Sequence, residues 1–201
     1  MRIESDRCIF NMSVENEPVA KVSSGDTLVI ETCDCFSDQI ISEDQTVGTL
    51  DWDIINPATG HVYIEGAEAG DILKVDILDI QIGDRGVFLT GPDLGTLGHI
   101  LEEEKIRLVD IEDDKVIFNE KIHIPIEPMI GVIGTAPKGE GISTGTPGEH
   151  GGNMDCKRIT KGSTLYLPVN VDGALLAIGD LHAVMGDGEV AVCGVEIAGE
   201  V

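Results

Sequence analysis

The chain has little positive charge. Its 13 lysines and arginines stand against 37 aspartates and glutamates, a formal net charge of -24 over 201 residues. So acidic a surface repels phosphates, which argues against nucleic acid and anionic membranes as partners while still drawing in cations. No uninterrupted apolar run approaches the ~20 residues of a membrane span, and no signal peptide precedes the cysteines. A soluble, cytoplasmic protein with reduced thiols is therefore expected. The five cysteines include no C-x-x-C pair. Cys33 and Cys35 are separated by a single residue, too close for a zinc knuckle or a thioredoxin-like site, and the other three stand singly, so all five read as structural. Solenoid repeats and low-complexity tracts are missing too. The glycines of 131–139 lack the order of a phosphate-binding loop, and 186–189 falls short of a calcium-binding EF-hand loop.

What remains reads as a mainly β chain, with β-sandwich-like domains and a few short helices. The segments 26–31, 61–65, 115–119 and 163–169 are short, rich in β-branched or aromatic residues, and bounded by turn formers. Segment 73–82 alternates apolar and polar residues over part of its length, which wets one face. Segment 129–134 reads as a buried strand and 189–197 as a long strand bulged at Gly194. Helices are expected only at 36–44 and 98–104. The glycine- and proline-rich stretch 125–147 suggests a junction between a β-rich domain, 1–130, and a segment, 131–201, that carries the chemistry.

Two polar clusters lie in that second segment. Gly179-Asp-Leu-His-Ala-Val-Met-Gly-Asp-Gly-Glu189 places Asp180 two residues from His182, and Asp187 two residues from Glu189. On strands, i and i+2 share a face, so a hairpin turning at 185–188 would bring all four groups to one end. Gly148-Glu-His-Gly-Gly-Asn-Met-Asp155 is a loop by composition, yet it holds Glu149, His150, Asn153 and Asp155 among glycines that let backbone approach a ligand. Imidazole and carboxylates suit a divalent cation, and a carboxylate left over can act as a general base.

These two stretches, together with Trp52-Asp-Ile-Ile-Asn-Pro-Ala-Thr-Gly60 and Tyr63-Ile-Glu-Gly-Ala-Glu-Ala-Gly-Asp71, resemble the acetamidase/formamidase family in order along the chain. The resemblance implies a β-rich, metal-associated, commonly dimeric hydrolase that converts short aliphatic amides to carboxylic acid and ammonia. It also implies a further family segment beyond Val201, and it draws Asp34, within 32–39, toward the active region. The resulting expectation has His150 and His182 as ligands of a divalent ion, with Asp180 or Asp34 completing the shell. Zinc is favoured, with calcium or manganese as alternatives. Glu149 and Glu189 compete as proton shuttle, and Asn153 holds the amide. Two other readings share these residues: a noncatalytic metal- or small-ligand-binding β-domain, and a hydrolase of another linear or cyclic C–N bond.

Overall fold

The structure, a computed structural model, describes residues 1–201. Its centre is the strand Leu176–His182, buried along its whole length even at Asp180 and His182. On one edge it pairs antiparallel with Met129–Gly134, which in turn pairs with Gly151–Asn153. Its other edge is shared between two partners. Residues 176–179 pair with Ala58–Glu65, and residues 181–182 pair with Glu196–Ile197. Asp180 falls at the fork, with φ 56. One branch continues through Arg85–Thr90, Lys105–Glu112, Lys115–Ile117 and His123–Pro125, and the other takes up Ala20–Ser23 and Cys8–Ile9.

A four-stranded sheet of Arg2–Ile3, Val29–Thr32, Gly199–Glu200 and Gln81–Ile82 lies over this one. The main core holds Ile3 and Ile30 of the smaller sheet together with Val62, Ile133, Ile178, Leu181 and Ile197 of the larger. Burying such faces is the dominant stabilising term for layered β structure. A second core of Cys35, Phe36, Ile40, Leu50, Val87, Leu89, Ile106 and Cys193 sits under the first branch. The fold is thus mainly β and layered, as the alternation of short strands implies. The boundary at residue 130 falls inside Met129–Gly134, and the central sheet draws strands from both sides of it.

Several local expectations are corrected. Residues 36–44 form turns rather than a helix, because Ser37 and Asp38 take positive φ, which ends a right-handed helix. Of 98–104, only Gly98–Ile100 is helical, as a single 3-10 turn. The strand expected at 189–197 survives only as Glu196–Ile197, since Glu189 and Val192 also take positive φ and close a turn. The hairpin is therefore wider than a turn at 185–188. Ala183 donates its N–H to the Val195 carbonyl, and 185–194 forms the connecting loop. No helix is long and apolar enough to cross a membrane.

His61, on Ala58–Glu65, is fully buried with neither ring nitrogen hydrogen-bonded. Burial pushes its pKa down from 6.5 to about 4. The unfolded chain then binds the extra proton between those values, so His61 contributes full stability above pH ~6.5 and loses it as pH falls toward 4. Relative to His61→Leu, the wild-type chain is expected to lose up to about 3 kcal/mol between pH 7 and pH 4, read as the difference in slope of urea-unfolding free energy against pH. Equal slopes would show that the imidazole charges in place.

Candidate functional site

The fork gathers the polar groups. His182 Nε2 stands 3.1 Å from Glu196 Oε2, 3.4 Å from Asp180 Oδ1 and 3.7 Å from Glu189 Oε1. Asp155, His182 and Glu189 offer donor atoms within 4.8 Å of one another, and so do Cys35, Asp180 and Glu196. The site lies at the seam of the two cores: Leu181 and Ile197 belong to one, Cys35 and Cys193 to the other.

Local backbone explains how these side chains converge. Asp155, Asp180 and Glu189 all take positive φ, at 40, 56 and 44. Such conformations are disfavoured for residues with a Cβ and persist only where the surroundings impose them. Glycines clear the space. A Cβ on Gly131 would collide with the Asp180 and Asp155 carboxylates, and one on Gly194 would stand 2.8 Å from both Cγ and Nδ1 of His182. Gly194, expected as a bulge, instead gives room to the imidazole, and its N–H donates to Glu196 Oε1 at 2.8 Å.

The electrostatics follow from burying like charges together. Burial alone would lower the His182 pKa, but the charges of Glu196 and Asp180 outweigh it and hold the imidazole well above its ordinary value. Asp180 is lowered because that imidazole overcomes its own burial. Burial, then Asp155, pushes Glu189 up to about 8, and burial, partly offset by His182, pushes Glu196 up to about 7. Asp155 is raised by burial and by Asp180. Even so, His182 Nε2, Asp180 Oδ1, Glu196 Oε2 and Asp155 Oδ1 are buried without hydrogen bonds. Buried polar atoms that converge unpaired are what a cation site presents before the ion is counted.

The structure brings Asp180, His182 and Glu189 together, while the other expected site residues lie apart or serve differently. Asp187 is 93% exposed and faces Lys157. His150 is buried between Gly148 and Gly152, and its carbonyl accepts from Thr135 N–H. His182 pairs with Met129, six residues earlier on the same run, so at ~3.3 Å per residue the two backbones stand about 20 Å apart. The joint site of His150 and His182 is therefore not formed, and Glu149, exposed beside His150, is away from the cluster. Asn153 lies two residues before Asp155, with its Oδ1 buried and unpartnered. Asp34 is buried, and its Oδ1 accepts from the N–H groups of Phe36 and Asp38 at 2.9 and 2.8 Å. Burial raises its pKa to about 6. Its carboxylate folds the turn that presents Cys35, so the thiol, expected to be only structural, enters the cluster in its place.

Glu196, Asp155 and Cys35 complete the constellation. Glu196 escapes sequence reasoning because it reads as one polar position in a short strand, and Cys35 because its spacing to Cys33 matches no metal-binding pair. Asp155 closes the loop Gly148–Asp155, where a carboxylate in a glycine-rich setting is the one signal of its role.

An all-β chain with a buried cluster of histidine, carboxylates and thiol at a sheet fork defines a β-rich protein with an internal polar constellation. The chain belongs to the acetamidase/formamidase family, whose model matches residues 7–144 and 138–201. The crystal structure of an acetamidase from Bacillus halodurans is 55% identical, with a TM-score of 0.99 over 100% of this chain and 68% of that one. A formamidase of Methylophilus methylotrophus is 30% identical over 98% of this chain and 63% of its own length. A gamma lactamase from Delftia acidovorans is 25% identical, with a TM-score of 0.89 over 98% of this chain and 63% of that one. The chain spans less than two thirds of the length of the curated relatives it matches.

Gly194→Ala tests the packing of the imidazole. Overpacking at that distance is expected to cost about 1–3 kcal/mol. Gly186→Ala, in the same loop with open space around it, should cost far less. Denaturant midpoints of the two variants compare them directly, and equal midpoints would remove the steric argument.

Proposed function

We propose that the chain is a metal-dependent hydrolase of short aliphatic amides, giving a carboxylic acid and ammonia. The observation that carries this reading is the pair of carboxylate oxygens, from Glu196 and Asp180, at 3.1 and 3.4 Å from His182 Nε2, with Asp155 in donor reach of the same imidazole, in a chain of this family. Ligand atoms about 2.1 Å from a tetrahedral ion stand ~3.4 Å apart, so the spacing fits a divalent cation, with zinc favoured by the imidazole. His182, Asp180, Asp155 and Glu196 would hold it. Such an ion lowers the pKa of a water and polarises a carbonyl oxygen, the two deficits of uncatalysed amide hydrolysis.

Glu189 is the proton shuttle in this reading. Its side chain retains 18% exposure where Asp180, His182 and Glu196 have almost none, so it faces arriving substrate. Its carboxylate takes a proton from the attacking water as the C–O bond forms, then returns it to nitrogen as the C–N bond breaks and ammonia leaves. Asn153 Oδ1, a buried acceptor without a partner, receives an N–H of the amide and orients it. Ring-closed amides are the second substrate reading, favoured by the relative named a gamma lactamase. The five free thiols suit a reducing compartment such as the cytoplasm. A homodimer also belongs to this reading. It is supported by exposed Ile72, Leu78 and Tyr166 on and beside the paired strands Ile72–Asp76 and Thr164–Pro168.

His182→Ala is expected to hold less cation than wild type by elemental analysis, since it removes the imidazole ligand. Glu189→Gln should keep it and lower ammonia release from formamide or acetamide roughly 10²–10⁴-fold. Full turnover by ion-free protein would overturn the mechanism, and a bound ion without turnover would favour the binding-domain reading. If the apolar surface joins two copies, light scattering should show dimerisation strengthening with salt as the acidic surfaces are screened. A monomer at every ionic strength would remove the dimer.

A further inference from the structure

We propose that the constellation is a two-cation centre. Cys35 Sγ, Asp180 and Glu196 hold an inner ion, His182 and Asp155 hold an outer one, and the carboxylates of Asp180 and Glu196 bridge the pair. The inference deepens the proposed function, because the outer ion is the one on which that reading rests.

The first argument is geometric. The donors form two sets rather than one: Cys35 with Asp180 and Glu196, and His182 with Asp155 and Glu189. The thiol and the imidazole do not share a set, yet Asp180 and Glu196 reach both, since His182 Nε2 lies 3.4 and 3.1 Å from their oxygens. A carboxylate with donors on two sides is suited to bridging, and two-metal hydrolytic sites hold their ions about 3.5–4 Å apart.

The second argument is charge. The two sets bring together four carboxylates and a thiol against one imidazole, and Cys35, Asp180 and Glu196 are all buried. Burying such an excess of negative charge is strongly unfavourable unless protons or cations balance it. One dication leaves a surplus, whereas two match the carboxylates. The unpartnered Oδ1 of Asp180, Oε2 of Glu196 and Nε2 of His182, each almost fully buried, supply lone pairs directed into the cluster.

The third argument is selectivity. A thiolate favours soft or borderline ions such as zinc, whereas an imidazole with carboxylates also admits harder ones such as manganese. Cys35 makes the inner position the tighter and more deeply buried of the two. The outer position, beside the partly exposed Glu189, faces the substrate.

Cobalt(II) titration of the chelator-stripped, 201-residue chain tests the proposal. Wild type is expected to bind two equivalents by elemental analysis, with a sulfur-to-cobalt charge-transfer absorption that saturates after the first. Cys35→Ser and the smaller Cys35→Ala should each retain one equivalent and lose that absorption, while His182→Gln should retain one equivalent and keep it. Circular dichroism checks that each variant folds, and the wild-type titration stands without any variant. A single equivalent in wild type, or two equivalents without the sulfur absorption, would overturn the two-cation centre. One ion that is lost in His182→Gln but unaffected at Cys35 would overturn it while leaving the proposed function standing. No bound ion at all would overturn both.

Discussion

The change of hydrogen-bonding partner along Leu176–His182 is the constraint on which the rest of the arrangement depends. A strand in the middle of a sheet normally keeps one neighbour on each edge. Here one edge is divided, and the residue at the division, Asp180, cannot remain extended between two diverging partners. Its left-handed backbone redirects the chain so that the Asp180 and His182 side chains both enter the seam between the two cores. Glu196 arrives there because its strand occupies the second half of the divided edge, and Asp155 because Met154 and Asp155 donate their N–H groups to Gly131 on the strand that flanks the first edge.

The chemistry then follows from exclusion of water. Acidic groups on the surface of this chain are screened by solvent and need no partner, which is why its large negative charge is compatible with folding. The same groups at the fork are not screened. The charges of Glu196 and Asp180 outweigh burial and raise His182 above the ordinary imidazole range, and burial, reinforced by neighbouring carboxylates, raises Glu189 and Glu196 above the ordinary carboxylate range. An ion at the centre would relieve all of these conflicts together.

The sequence conveyed the class of fold through its short β-branched segments, and Met129–Gly134 coincides with the strand that its residues suggest. Asp180 and His182 could be read because residues two apart on a strand share a face, whereas Glu189 reaches the site from a turn and not from the strand expected there. Glu196 could not, since a glutamate inside Val195 to Ile197 looks like one polar position in an alternating strand, and only the fork reveals that it points inward. Cys35 was hidden for a different reason, since its placement depends on the Asp34 carboxylate folding a turn where periodicity suggested a helix. His150 is the opposite case. Its company of glycines and a glutamate resembles a ligand loop, but strand register carries it to the far end of the neighbouring strand.

The loop 185–194 gives the site a kinetic character separate from its affinity. The central strand is hydrogen-bonded on both edges and can open only with much of the sheet, whereas this loop carries Glu189, ends its turns on positive-φ residues, and exposes Asp187, Val190 and Val192. Segments of that kind open locally, at a fraction of the free energy of global unfolding. Anything held at the fork can therefore enter or escape through a brief excursion of one loop while the sheet beneath remains intact. Residence time of an ion at the site would then be set by that loop and not by the stability of the fold.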